Sequence, residues 1–287
     1  MGGVMRVVVV GGGISGAAIS RAVQQRGCSV AQLSRSRGFD VLRDDAAAAF
    51  AGADVIVEAT GRFTMSRKAA TEFFTASTRA VGSAAKTVGA HHVLLSIVNC
   101  MLPEVQGYGY FAGKTAQEAV ARSTSPRLTI VRSTQWFEFA RQNLKRMRFG
   151  PIALVPGMTI APVSLDAVAA VIAEAVVADR SRREVEVAGP DTMTLSSMTK
   201  ALPNPRVRPV PLMIPAGWGE HSGRVPFYLS LRPRSSDQGS AIGSRPEPCE
   251  TARPVQGSAA LTLRTGTMRE RRVGGIALLA SIWLWHE

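Results

Sequence analysis

The chain has 287 residues, 46% of them apolar, and a formal net charge of +13. That length accommodates one large α/β domain with or without a small second lobe, and the apolar content excludes a disordered chain. The charge excess is mostly arginine scattered along the chain, with no basic helix interleaved with aromatic residues, which argues against a nucleic-acid partner and for a generally basic enzyme surface.

Residues 7–16 read VVVVGGGISG. Four consecutive valines predict a fully buried strand of a parallel sheet, and the glycines predict a strand-to-helix turn that lets an anionic group touch backbone. Arg6 ahead of this apolar run imitates a signal peptide, but three glycines cut the run after four valines, so a strand and phosphate loop explain it better. Gly11, Gly13 and Gly16 fit G-x-G-x-x-G. In the Rossmann reading Gly11 makes the tight turn, Gly13 lets a pyrophosphate approach the backbone, and Gly16 lets the next helix pack on the strand. That helix, expected over 15–26, aims its first amide groups at the phosphates, with Ile14 and Ser15 at its start.

A second strand is expected over 28–33, ending in Ser34, Arg35, Ser36 and Arg37. An NAD enzyme places an acid there for the ribose hydroxyls, whereas arginine suits the extra phosphate of NADP; no carboxylate occurs before Asp40, so NADP is favoured over NAD. An ordinary basic loop is the plainer alternative. Residues 40–41 are expected to open a short strand, 46–51 a short helix, and 54–59 (DVIVEA) a clear strand ending at Thr60 and Gly61. Ligands of parallel sheets sit beyond the carboxyl ends of strands, so Thr60 and Gly61 should border the cofactor. A helix follows over 66–88, with Phe73, Phe74, Val81 and Ala85 towards the sheet. His91 and His92 have no Glu or Cys at ligand spacing and read as structural or surface histidines, with no metal.

Residues 92–98 (HVLLSIV) form an expected strand with Ser96 near its end, and Tyr110 and Lys114 follow at the YxxxK spacing, opening a helix over 115–122. Residues four apart share a helix face, so the phenol and the ammonium can enter one cleft. A nearby cation lowers the phenol's pKa and Ser96 can hold a carbonyl oxygen, which makes a proton-donating site for reduction beside a nicotinamide. Arg141, Lys145, Arg146 and Arg148 share a helix face that reads as solvated. The three cysteines, Cys28, Cys100 and Cys249, make neither a CxxC pair nor a disulfide framework, which fits a reducing cytoplasm. Residues 273–285 are apolar but short of the ~20 residues that a membrane span needs.

The order of GGGISG, SRSRG, AGADVIVEATG, HHVLLSIV, GYFAGKTAQE, LTIVRSTQWFEF and APVSLDAVA over about residues 5–212 resembles the NmrA-like branch of the atypical, extended short-chain dehydrogenases/reductases. The resemblance implies an NAD(P)-binding Rossmann protein with a small C-terminal substrate lobe, in a branch that includes both reductases and cofactor-sensing regulators. It implies catalytic positions at Ser96, Tyr110 and Lys114, and a loop over 132–139 beside nicotinamide and substrate, where Trp136 and Phe137 serve either the site or simple packing. Three stretches depart from the family's pattern. Val10 stands where many members have the first glycine of a longer loop, Asn99 and Cys100 stand where a glycine is usual, and Ala112 and Gly113 replace Arg-Ala. Glycine inside a helix costs roughly 0.5–1 kcal/mol relative to alanine, so Gly113 predicts a looser catalytic helix.

Residues 162–178 match the segment that returns to support the substrate cleft, 184–188 read as a strand and 195–202 as a helix. Beyond about residue 215 the chain has no sustained period, is rich in Ser, Arg, Pro and Gly, and reads as coil without a core. A frameshift in a GC-rich gene accounts for such a tail, the alternative being a natural extension. The expected architecture is therefore an α/β doubly wound parallel Rossmann sheet over 1–150, a small, incomplete substrate lobe over 151–214, and an irregular tail over 215–287. The expected function is NADP(H)-dependent reduction of a small carbonyl or enone compound, without nucleic acid or membrane. The alternative is a non-catalytic NADP-sensing regulator acting through a protein partner.

Overall fold

A computed structural model describes residues 3–64, 66–178, 183–203 and 207–212. The readings made for 215–287, including Cys249 and the apolar stretch at 273–285, lie outside the described residues. The first half of the chain runs β1 (Arg6–Val10), α1 (Ile14–Gln25), β2 (Ser29–Leu33), α2 (Ala46–Ala49), β3 (Val55–Glu58), α3 (Arg67–Val88), β4 (His91–Ile97), α4 (Gly109–Thr124) and β5 (Leu128–Ser133). It continues through α5 (Glu138–Arg146), β6 (Arg148–Phe149), β7 (Ile152–Pro156), β8 (Thr159–Ile160), α6 (Leu165–Val177), β9 (Arg183–Val187), β10 (Met193–Thr194), α7 (Leu195–Lys200) and β11 (Arg208–Leu212).

The valine run is an interior strand of the sheet, one in from the β2 edge. Six strands lie in the order β2-β1-β3-β4-β5-β9, every neighbouring pair parallel. Side chains alternate across a strand, so the valines divide between two layers. Val7 and Val9 pack with Ile19 and Val23 of α1 and Val168, Ile172 and Val176 of α6. Val8 and Val10 pack with Phe50, Ile56, Val81 and Ala85 on the other face, where α3 lies. Beside them, Leu94, Ala121, Leu128 and Ile130 join α4 to the sheet. The connection from β1 runs to β2 on one side and the next crosses back to β3 on the other side of β1, which opens a crevice at the carboxyl ends of β1 and β3.

Ser66 caps α3 through the Ala69 amide and Ser164 caps α6 through the Ala167 amide. Residues 40–41 are not a strand. The Asp40 carboxylate accepts from Leu42 N at 3.0 Å and its carbonyl from Arg43 N at 2.9 Å, a local turn that competes with extended pairing. The helix expected to open at 115 begins at Gly109, so Tyr110 and Lys114 both lie inside it. Nor does Gly113 loosen that helix: a Cβ there would stand 2.6 Å from Phe74 Cδ2 and 3.0 Å from Ala70 Cβ, so the missing methyl is what lets α4 press against α3. Asn99 adopts φ +62°, a left-handed conformation that asparagine tolerates better than other non-glycine residues, and so makes the turn at which the sequence pattern expected glycine.

The chain's return after residue 150 is divided. α6 and β9, which the sequence reading assigned to the segment supporting the substrate cleft and to the lobe, go back to the sheet, with α6 packed on α1 and β9 paired to β5. What remains forms a small lobe of two sheets, β10-β8 and β11-β7-β6, around Leu144, Val155, Ile160, Leu195 and Met198, with α5 reaching into it from before residue 150. Among the described residues no helix is long and apolar enough to cross a membrane.

Candidate active site

Gly11 follows β1 at the crevice, its N–H donating to Leu33 O at 2.9 Å and its carbonyl accepting from Gln32 Nε2 at 2.8 Å. Its φ of +152° suits glycine, and a Cβ would lie 2.6 Å from Ala59 O. A Cβ on Gly16 would overlap the Gly11 carbonyl, so this glycine is required where α1 meets the strand. Gly13 is different: a Cβ there would meet nothing within 4 Å. It is the N-cap of α1, no side chain caps the helix, and its first turn holds no acid. The leading amide groups are thus left for an outside acceptor, and the two tight glycines plus one open one fit a pyrophosphate on this turn. Ile14 is exposed and Ser15 buried at the start of the helix.

The end of β2 closes on the same turn, since a Cβ on Gly12 would stand 2.7 Å from Ser34 Cβ. Ser34 Oγ lies 3.0 Å from Ser36 Oγ, and Arg35 and Arg37 are exposed on a single 3-10 turn free of acids. Beyond β3, Thr60 turns inward and donates to Glu58 Oε1 at 2.9 Å, so of the pair expected at the cofactor Gly61 alone is exposed.

Tyr110 stands on the first turn of α4 with its hydroxyl 3.8 Å from where a Gly61 Cβ would be, and its ring edge-on to Phe74 at 5.4 Å. One turn on, Lys114 Nζ donates to Leu95 O at 3.0 Å and to Gln117 Oε1 at 2.8 Å, and sits 4.7 Å over the same Phe74 ring. Burial drives the Lys114 pKa down to about 8, against the pull of Glu58, Cys100 and Glu118. Burial raises the Tyr110 pKa, and the positive charge that opposes this is Arg146 of α5. The phenol's pKa is thus raised by burial, where the sequence reading expected a nearby cation to lower it.

Ser96 departs from its expected role. It is only 2% exposed, and its hydroxyl donates to Glu118 Oε1 at 2.6 Å. Glu118 also accepts from Arg132 Nε at 2.8 Å and Nη2 at 2.6 Å. Burial alone would raise this carboxyl's pKa, but the hydrogen bonds from Arg132 and Ser96 outweigh it and hold the group below its usual range. Cys100, beside Glu118 and buried, has its thiol pushed up to about 11 and is a poor nucleophile. Glu58 forms a second buried hub, accepting from Thr60, Thr78 and Gln117 and meeting His92 Nε2 at 3.1 Å. His92 is thus structural, its other ring nitrogen 2.8 Å from Ser125 Oγ. Trp136 packs on the core with Nε1 donating to Ser133 Oγ at 3.0 Å, while Phe137 is 49% exposed.

Sequence reasoning singled out neither hub, nor Arg146 except as one of a solvated set. The signal for the hubs was an acid inside an otherwise apolar strand, Glu58, and an acid one turn after Lys114, Glu118.

No protein-family model and no curated protein matches the chain. Solved structures do. The dTDP-4-dehydrorhamnose reductase of Bacillus anthracis str. Ames, in complex with NADP, is similar with a TM-score of 0.60 at 14% identity, over 78% of this chain and 88% of that one. UDP-N-acetylglucosamine 4-epimerase from Bacillus cereus gives 0.57 at 14% identity, over 72% and 85%. A short-chain dehydrogenase/reductase superfamily protein from Agrobacterium tumefaciens with bound NAD gives 0.55 at 15%, over 72% and 85%. The likeness is one of fold: the α/β Rossmann-type parallel sheet expected from the sequence is the one these enzymes share.

Proposed function

We propose that this chain is an NADP(H)-dependent reductase of a small carbonyl or enone compound, of the NmrA-like branch that its motifs resemble. The observation that carries the reading is the Tyr110 hydroxyl at the carboxyl end of β3, beside Gly61 and one helical turn from Lys114, on the crevice that the open Gly13 turn also borders. The neighbours solved with NADP and with NAD support a nicotinamide dinucleotide. Preference for NADP rests on Ser34, Arg35 and Arg37, because guanidinium groups match a phosphate and no acid repels it. The free thiols of Cys28 and Cys100 support a cytoplasmic setting.

When bound, NADPH supplies a hydride to the carbonyl carbon. Tyr110 gives its proton to the carbonyl oxygen, and the product is an alcohol. A lysine ammonium has three N–H donors, of which Leu95 and Gln117 take two, so Lys114 keeps one for a ribose hydroxyl. In place of the substrate contact expected of it, Ser96 positions α4 through Glu118. Substrate selection falls to the lobe built on α5, β6 to β8, β10, α7 and β11.

Tyr110→Phe should cut turnover by ~10²- to 10⁴-fold on a panel of quinones, enones and aldehydes while NADPH affinity stays nearly intact. The regulator reading is favoured by one observation, the commitment of the Ser96 hydroxyl to Glu118. It gains the ground if the wild-type chain binds NADPH but turns over nothing on that panel, and if Tyr110→Phe leaves cofactor-dependent partner binding unchanged.

A further inference from the structure

Arg146 is the last residue of α5, and its guanidinium lies 4.4 Å from the centroid of the Phe63 ring. Phe63 is exposed on the loop that leaves β3, two residues after Gly61, against which the Tyr110 hydroxyl rests. Lobe helix and sheet loop therefore meet beside the proposed proton donor. Stacking on an aromatic face occupies the flat side of a guanidinium and leaves its N–H edge open. Among the described residues that edge has no hydrogen-bond or ion-pair partner; Arg122 and Arg132, by contrast, are held by Glu118 and Glu184. The planar fork of donors matches a carboxylate or phosphate with two parallel hydrogen bonds. Arg141 and Lys145 are exposed on the same helix, adding a positive field that draws anions towards its end.

We propose that Arg146 anchors an anionic group of the substrate, a carboxylate or a phosphate, while Tyr110 acts on the carbonyl, so that the substrate class is small oxo-acids or phosphorylated carbonyl compounds. This rests on the reductase reading and adds to it the identity of the group that fixes the substrate's orientation. Burial lowers the Arg146 pKa and leaves the group charged, as arginine always is in proteins, so the anchor works across the accessible pH range.

The test compares 4-oxobutanoate with butanal, and glyceraldehyde 3-phosphate with glyceraldehyde, on the full chain with NADPH. The expected result is a preference of about tenfold or more for at least one anionic member in kcat/KM, lost in Arg146→Ala through a raised KM and partly restored in Arg146→Lys. Equal rates on anionic and neutral members overturn the anchor. So does an Arg146→Ala chain that keeps the anionic KM and instead lowers kcat with a shifted pH profile, since Arg146 would then act on the phenol alone. If no compound turns over, the reductase reading fails by itself, and calorimetric binding of succinate and inorganic phosphate to the NADP-saturated chain decides the anchor. Binding of either that Arg146→Ala weakens about tenfold sustains it, and absent or unaltered binding ends it.

Discussion

At the residue scale Lys114 couples protonation to cofactor binding. Charged, it has three donors; neutral, it has two, and Leu95 O and Gln117 Oε1 take both. Only the charged form has a donor for a nucleotide hydroxyl, so NADPH affinity should be full below about pH 8 and fall about tenfold as pH rises past it, with Lys114→Met flat and weak throughout. Fluorescence titration of NADPH across that range checks it. Stability of the free chain should move the other way. The folded pKa of about 8 lies below the ordinary 10.5, so between the two the unfolded chain binds more protons and stability rises with pH. The placement of Tyr110 and Lys114 one turn apart on a single helix was legible because a spacing of four is local helix geometry. Ser96 was not, because the acid that takes its hydroxyl stands 22 residues away on another element and leaves no local mark.

At the element scale the contact of α3 with α4 decides where the tyrosine stands. The Gly113 backbone rides over Phe74 and Ala70, and Phe74 in turn meets the Tyr110 ring at 5.4 Å and lies under Lys114. Gly113→Ala should therefore push the helices apart and cost about 1–3 kcal/mol, the usual penalty of an overpacked interior, despite alanine's better helix propensity. Thermal unfolding checks the sign: a rise in Tm would mean that propensity wins over packing. The strands with clear apolar runs and the helix after β3 were legible from periodicity. The start of α4 was not, since glycine at 113 counts against a helix by propensity alone, and only the close approach to α3 explains it. Residues 40–41 misled for the opposite reason, an extended-looking pair drawn into a turn by one carboxylate.

At the scale of the whole molecule, a ligand that binds only the folded chain stabilises it by mass action. NADPH at about a hundred times its Kd should add ~2.7 kcal/mol, NADH at the same concentration clearly less, and Arg35→Ala should narrow the gap; melting curves with each cofactor read it directly. An equal response to both cofactors would remove the role given to Arg35 and Arg37. The parallel, doubly wound plan was legible in the alternation of strand and helix patterns, but the allotment of α6 and β9 to the sheet was not, because no local pattern says which layer a late element rejoins. That late return bears on how the protein is made. Glu184 of β9 pairs with Arg132 of β5 and with Arg122 of α4, the latter 62 positions earlier. At about 5–20 residues per second the ribosome delivers β9 some three to twelve seconds after α4. Until then the nascent chain holds two guanidinium groups, Arg122 and Arg132, against a single acid, Glu118, so the charge balance of this part of the sheet layer is completed last.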